Sequence, residues 1–311
     1  MTQHRRQFIK TTATATTALM LSSLDLLATS TQPAPVVSQN FDLKILATNW
    51  GFPGTLEEYC AKVKKEGYDG IEIWWPREKQ AQDELFGLLD KYKLEVGFLC
   101  GAYQTSYLEH AADFKKAVIE ASSSSHRPLY INCHSGKDYF SFEENQALVD
   151  HTRQVSKQSG VLICHETHRS RMLFAAPVAR KFLEKNSDLK ITFDVSHWCN
   201  VSESLLEDQP ETLKLALDRT EHIHARIGHA EGPQVNDPRA PEWEAAVKAH
   251  LAWWDTVIAR KKKEGGRMTI LTEFGPPDYM PTTPYTRQPL ADQWGINVHM
   301  MHLLRKRYLT A

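Results

Sequence analysis

Short apolar runs alternate with longer amphipathic segments along most of the chain. The first apolar run, at 42–47 (DLKILA), precedes a segment in which Thr55 and Glu58 form a capping-box pattern and apolar residues recur at helical spacing. Gly67 is suited to ending this helix, and a second apolar run follows at 70–74 (GIEIW). The pattern therefore predicts a strand, a helix and a second strand.

The same alternation continues to the end of the chain. Six further strands, each followed by a helical segment, are predicted at 95–100, 128–133, 161–165, 189–193, 222–226 and 268–272. Eight strand–helix units without a break in composition predict a single-domain α/β fold, the (β/α)8 TIM barrel. A doubly wound open sheet is the alternative, but neither GxGxxG nor GxxxxGK[ST] follows the first strand.

The N-terminal part of the chain does not follow this pattern. Adjacent arginines, Arg5 and Arg6, precede a weakly apolar stretch at 11–27 that is rich in Thr and Ala and interrupted by Asp25. This order resembles a twin-arginine export signal and is poorly suited to a membrane span, whereas the alternative is a disordered basic tail. We predict an exported or periplasmic protein without a stable membrane anchor after signal cleavage. The predicted segments are an export signal at 1–30, a linker at 31–40 and the barrel at 41–311.

Composition and charge mainly exclude other classes of protein. The 311 residues are 41 % hydrophobic and 24 % charged, which is ordinary for a globular domain. A formal net charge of −1 provides no general field for polyanions, so nucleic acid is not expected as a partner. The five cysteines are widely spaced without a CxxC pair, which argues against a zinc ribbon or a redox dithiol.

Predicted strands five to eight each end in, or carry near their end, a side chain of metal-ligand type. These are Glu166, Asp194, His224 and Glu273. Successive strand ends arc around the mouth of a barrel, so these side chains can converge there. Three carboxylates and an imidazole suit one Mn²⁺, Mg²⁺ or Co²⁺ ion, with Zn²⁺ tolerated. Each residue alone could equally be a cap or an ion-pair partner, and His222, deeper on the same strand face as His224, is predicted to be a core histidine.

Other side chains beside the strand ends are candidates for contact with a substrate. His134 follows strand four, where it could reach the substrate or a second metal or serve the structure alone. His168 and Arg226 flank predicted ligands and could bind substrate oxygens or neutralise surplus carboxylate charge. Trp50 and Trp75 follow strand ends, where an indole could stack on a sugar ring or pack a loop.

Four motifs, HETHR, FDVSHW, HIHAR and LTEFGP, resemble the strand-end motifs of the xylose isomerase-like TIM-barrel superfamily, especially its sugar phosphate isomerase/epimerase group. The resemblance covers the chain after the linker and implies that Glu166, Asp194, His224 and Glu273 bind the metal. It further implies that the two glutamates form an acid/base pair and that His197, on a loop beyond strand six, contacts substrate oxygens. The second carboxylate after strand five and the arginine after strand seven of the epimerases have no counterparts here, so the substrate stays open.

The predicted ligand set suits removal of a proton next to a sugar carbonyl. One glutamate would remove the proton, the ion would stabilise the resulting enediolate, and the other glutamate could return a proton. Return to the opposite face gives epimerisation, delivery to the adjacent carbon gives isomerisation, and loss of a β-leaving group gives elimination, as from a 3-keto-glycoside. The sequence does not choose among these reactions.

We therefore predict a metal-dependent sugar isomerase or epimerase, or a keto-glycoside lyase, that acts on a small carbohydrate; a homo-oligomer is one assembly left open. One alternative is an endonuclease IV-like phosphodiesterase, for which His134, His197 and His229 would supply part of the extra zinc ligands. Another is a metal-stabilised sugar-binding protein without turnover.

Overall fold

The predicted strands close into an eight-stranded barrel in the computed structural model, which describes residues 41–309. Each strand pairs in parallel with the next, and β1 pairs with β8, so the single (β/α)8 barrel is confirmed. The predicted export signal and linker lie outside the described residues. The strands are β1 (Phe41–Thr48), β2 (Gly70–Trp74), β3 (Glu95–Gly101), β4 (Ile131–His134), β5 (Ile163–Glu166), β6 (Ile191–Phe193), β7 (Thr220–Ala225) and β8 (Gly266–Thr272).

Helices connect the strands on the outside of the barrel. Within residues 41–309 they are α1 (Leu56–Glu66), α2 (Lys79–Tyr92), α3 (Tyr107–Ser122), α4 (Phe142–Ser159), α5 (Ala176–Lys185), α6 (Val195–Val201), α7 (Pro210–Arg219), α8 (Glu244–Glu264) and α9 (Gln293–Leu309), with a 3-10 turn at Pro241–Trp243. The predicted capping box is present, since Thr55 accepts from the Glu58 N–H at 3.2 Å and its own N–H donates to Glu58 at 2.7 Å. Over the described range, no helix combines the length and apolarity that a membrane span requires.

The segment after β6 differs from the prediction of a loop. Val195–Val201 forms the short helix α6, and Asp194 is its N-cap residue, with a side-chain oxygen 3.2 Å from the Ser196 N–H that it accepts. An aspartate at this position satisfies a backbone donor that the helix itself leaves free. His197 therefore lies in the first turn of a helix rather than on a loop.

The strand register determines which side chains face the inside of the barrel. Leu46 belongs to a small apolar cluster with Tyr130 and Leu271, whereas its neighbours Ile45 and Ala47 belong to the large cluster that includes the helices. Side chains alternate along a strand, so Leu46 faces inward and Ile45 and Ala47 face the helices. Positions in register with inward residues share that direction, and this places polar side chains above the small cluster.

Candidate metal centre and active site

The four predicted ligands converge at the C-terminal end of the barrel. Ligand atoms of Glu166, Asp194, His224 and Glu273 all lie within 4.8 Å of one another, and all four side chains are buried. Glu166 pairs in register with Thr192, two positions before Asp194, and Thr192 pairs with His222, two positions before His224. The pleat therefore directs Glu166, Asp194 and His224 into the barrel together.

His224 lies between two acidic groups. Its Nδ1 is 2.9 Å from Oε2 of Glu273 and 3.7 Å from Oε1 of Glu166, so this nitrogen faces the ligand group. Its Nε2 faces the other way and lies 3.4 Å from Oε2 of Glu72, a buried residue of β2. The ring orientation is thus set by carboxylates on both sides.

Glu166 provides a direct test of whether these residues fit a cation. Its Oε2 accepts from the Asn132 amide at 2.6 Å, whereas its buried Oε1 has no hydrogen-bond partner among the described residues. A buried carboxylate oxygen without a partner is costly, and a cation would remove that cost. The oxygen-rich donor set of Glu166, Asp194, Glu273 and His224 therefore fits a divalent ion.

The pKa shifts show how the site balances its negative charge. Burial alone would raise the pKa of Glu166, but His134 and His224 hold it well below its usual range. Burial alone would lower the pKa of His224, but Glu273, Glu166 and Glu72 together raise it well above its usual value. Without an ion, a protonated His224 ring balances the charge of the glutamates, and a cation bound at Nδ1 would replace that proton.

Arg226 is a second buried counter-charge, which agrees with one of its two predicted roles. Its guanidinium donates a hydrogen bond to Asp194, lies 3.6 Å from Glu273 and donates through Nε to the Ser196 hydroxyl at 3.2 Å. Burial nevertheless raises the pKa of Asp194 to about 7, with Arg226 acting against the rise and Glu273 adding to it. The arginine also lines the cavity described next.

A cavity of about 480 Å³ opens above the ligand group. Glu273 lies at its base, and its walls include Trp50, Trp74, Tyr103 and Tyr279. Aromatic walls around a few polar groups are typical of sites for small molecules, and the volume is in the usual range. The cavity therefore has a charged base and aromatic walls.

One of the two predicted tryptophans is absent from this cavity. Trp50 lines it, but Trp75 is buried between the barrel and the helices, where its ring packs on Phe98 and its Nε1–H donates to Glu120 at 3.2 Å. The preceding residue, Trp74, lines the cavity instead. The prediction for Trp75 is wrong because adjacent strand residues point to opposite sides.

His134 and His168 line the cavity beside Glu166. Nε2 of His134 is 2.8 Å from Oε2 of Glu166, although the angle is unfavourable for a hydrogen bond, and the His134 and His168 rings are 4.5 Å apart. With Glu166 they form a second group whose ligand atoms lie within 4.8 Å of one another. Both histidines can therefore reach a molecule in the cavity.

His197 and His229 lie elsewhere. His197 is fully buried, its ring is 3.9 Å from that of His168, and its Nε2 is 2.8 Å from Nη2 of Arg226, so it supports the cavity wall from behind. A direct contact of His197 with substrate oxygens does not fit this placement. His229 packs on Trp243 at 4.6 Å and joins none of the potential metal groups within residues 41–309.

Several residues of the site were not predicted from the sequence, among them Glu72, Asn132 and Tyr279. Glu72 and Asn132 are buried polar residues on inward positions of β2 and β4 and contact His224 and Glu166. Their signal in the sequence is a polar residue within an apolar strand. Tyr279, on the long loop after β8, contacts Arg226 with 4.8 Å between the guanidinium carbon and the ring centre, and no local pattern marks it.

Comparison with solved structures shows which known proteins share this fold. No family model and no curated protein sequence matches the chain. Among solved structures, a D-tagatose 3-epimerase-like protein has a TM-score of 0.57 and 12 % identity over 86 % of this chain and 97 % of its own. A probable 3-DHS dehydratase of petrobactin synthesis from Bacillus anthracis has a TM-score of 0.51 and 17 % identity over 85 % and 99 %. An AP endonuclease of family 2 from Brucella melitensis has a TM-score of 0.51 and 11 % identity over 75 % and 93 %.

These neighbours are xylose isomerase-like TIM-barrel proteins, most of them enzymes. The resemblance inferred from the strand-end motifs is therefore confirmed at the level of the fold. Identities this low do not transfer a reaction or a metal, because one barrel fold hosts many chemistries.

Proposed function

We propose that the protein is a divalent-metal-dependent enzyme that removes a proton next to a sugar carbonyl, as an isomerase, an epimerase or a keto-glycoside lyase. The observation that carries the proposal is the position of two glutamates. Glu166 ends β5 and Glu273 follows β8, three strands further around the barrel; both lie beside Asp194 and His224, and Glu273 lines the cavity. Two carboxylates on different sides of a bound molecule suit removal and return of a proton.

The residues of the site would divide the work as follows. Glu166, Asp194, His224 and Glu273 would hold the ion, which supplies Lewis-acid stabilisation of negative charge on the substrate. Glu166 is ionised at neutral pH because His134 and His224 keep its pKa low, so its carboxylate is the candidate base. Glu273 is the candidate for the opposite face.

The cavity walls would orient the sugar. His134 and His168 can exchange hydrogen bonds with hydroxyl groups, and the exposed faces of Trp50 and Trp74 suit stacking on the apolar side of a ring. A 3-keto-glycoside, a ketose and an aldose all offer the required proton. The cavity lining supports a carbohydrate more strongly than it selects among these three.

A metal assay combined with incubation in ²H₂O tests the proposal. Protein loaded with Mn²⁺, Mg²⁺ or Co²⁺ is incubated with a panel of keto-sugars, and deuterium next to the carbonyl is measured by NMR. Exchange that disappears in chelator-treated protein and returns with the ion is the expected result. Absence of exchange with every sugar, in protein shown to hold an ion, contradicts the proposal.

A metal-dependent phosphodiesterase is the second candidate. The group of His134, Glu166 and His168 favours it, because Glu166 could then lie between two ions, as phosphoryl-transfer sites with two metals require. The net charge of −1 favours the sugar enzyme instead, since DNA binding relies on surplus positive charge. One ion per chain supports the sugar enzyme, whereas two ions together with cleavage of an abasic-site duplex support the phosphodiesterase.

We also propose that the chain is exported through a twin-arginine route, on the basis of Arg5, Arg6 and the stretch at 11–27. An exported sugar enzyme would meet free sugars or glycosides rather than nucleic acid. Replacement of both arginines by lysine should retain the protein in the cytoplasm of a producing cell. Unchanged export of the double variant on fractionation contradicts this route.

A further inference from the structure

Arg171 lines the same cavity but takes no part in the charge balance of the ligand group. It lies on the loop after β5, and its half-buried guanidinium has neither an ion pair nor a hydrogen bond within the described range 41–309. Its Nε is buried without a partner. Arg226, the other arginine of the cavity wall, is by contrast paired with Asp194.

The surroundings of Arg171 add positive rather than negative charge. Burial and then Arg171 lower the pKa of the Lys137 ammonium, against a weaker opposing effect of Asp138. Burial, Lys137 and Arg171 likewise lower the pKa of His110. Lys137 thus adds positive charge near Arg171, and a half-buried arginine without a counter-charge is costly until an anion arrives.

We propose that Arg171 recognises an anionic group of the substrate and that the substrate is a carboxylated sugar. This inference rests on the proposed function and specifies its substrate class. A guanidinium presents parallel N–H donors whose spacing matches a carboxylate.

A carboxylate suits this cavity better than a phosphate ester. Arg171 is the one arginine of the described cavity wall that has no acidic partner, so a single negative charge would be matched. A dianion would in addition face the acidic residues Glu72 and Glu273 of the cavity lining, with Glu166 and Asp194 buried beside Glu273. The Trp74 and Tyr103 rings, 5.7 Å apart at the cavity wall, remain available for the neutral part of the sugar.

Binding to three sugars that differ at one carbon tests this assignment. D-fructose, D-fructuronate and D-fructose 6-phosphate are titrated calorimetrically into metal-loaded wild type, Arg171→Met, Arg171→Lys and the control Arg267→Met. Arg267 lies at the opposite end of β8, where it is exposed and 3.8 Å from Asp42. Thermal unfolding verifies that each variant folds, and Arg171→Gln replaces Arg171→Met if the latter does not.

Wild type should bind D-fructuronate about 10- to 100-fold more tightly than D-fructose, as expected for charge-assisted hydrogen bonds. Arg171→Met should bring this ratio close to one, Arg171→Lys should restore part of it, and Arg267→Met should keep the wild-type ratio. A wild type without preference for the carboxylate, a preference that survives in Arg171→Met, or tighter binding of the phosphate ester overturns the inference. The ratio of the two sugar affinities is measured without turnover. Absence of deuterium exchange in the wild type would therefore contradict the proposed reaction but not the assignment of Arg171.

Discussion

Glu72 and His224 meet inside the barrel although 152 positions separate them in the chain, with Oε2 of Glu72 3.4 Å from Nε2 of His224. Glu72 also accepts a hydrogen bond from the Tyr130 hydroxyl at 2.8 Å, which fixes the carboxylate in turn. A metal-ligating histidine usually donates its second ring N–H to such a group. A neutral ring that keeps its proton on Nε2, towards Glu72, would present the Nδ1 lone pair to a cation.

Glu72→Gln should weaken the binding of Mn²⁺ by about 10- to 100-fold, because the ring loses the carboxylate that orients it. A calorimetric titration of the metal-free protein measures this affinity. Glu95→Gln, an exposed carboxylate at the start of β3, is the matched control and should bind as wild type does. Equal affinities of Glu72→Gln and wild type would remove the positioning role of Glu72.

Glu273→Gln should reduce deuterium exchange by a factor of about 10² to 10⁴, the usual contribution of an acid or base in proton transfer. Sugar binding should persist, since the amide keeps the shape of the side chain. Glu242→Gln, an exposed residue of the turn before α8, serves as the control. If wild type binds sugars without exchange and Glu273→Gln behaves identically, the protein is a binding protein without turnover.

Arg226→Met should destabilise the metal-free protein more at pH 8 than at pH 5.5. Removal of one partner of a buried ion pair costs about 3–5 kcal/mol when the other stays charged. With Arg226 present the pKa of Asp194 is already raised to about 7, so without it Asp194 is neutral at pH 5.5 and the cost is smaller. Urea unfolding at both pH values measures the difference. The exposed Arg267→Met variant should change the free energy of unfolding by less than about 0.5 kcal/mol at either pH.

His250, which lies outside the metal centre, should make the free energy of unfolding depend on pH. Its ring Nδ1 is 2.8 Å from the Ala246 carbonyl and its Nε2 accepts from the Gly228 N–H at 3.2 Å, which only a neutral ring can do. Burial lowers its pKa to about 4. Because this value lies below that of the unfolded chain, its stabilisation is complete above about pH 6.5 and is lost as the pH falls towards 4.

As the pH falls from 6.5 to 4, His250 should lower the free energy of unfolding by about 1.4 kcal/mol per pH unit, which urea unfolding measures. His250→Gln should have a shallower pH dependence than wild type. Exposed His302→Gln should retain the wild-type slope. An unaltered slope in His250→Gln would show that the ring is not neutral in the folded state.

The alternation of apolar strands and amphipathic helices is a local property, so the barrel could be predicted from it. The predicted strand at 70–74 and the capping box at Thr55 have the same bounds in the structure. The four candidate ligands could also be predicted, because strand ends of consecutive units meet at one rim of a barrel. What they bind and which reaction they support remain predictions.

Other features depend on contacts between distant segments, which no local pattern encodes. Glu72 and Asn132 reach the ligand group only because the closed sheet turns their side chains to the inside. The pleat of β2 and the residues beyond it place Trp74 rather than Trp75 at the cavity. The sequence alone thus specified the strand–helix units and the candidate ligands at the strand ends. Closure of the barrel decided which charged side chains share one buried space, because burial and charge pairing arise only when distant strands pack together.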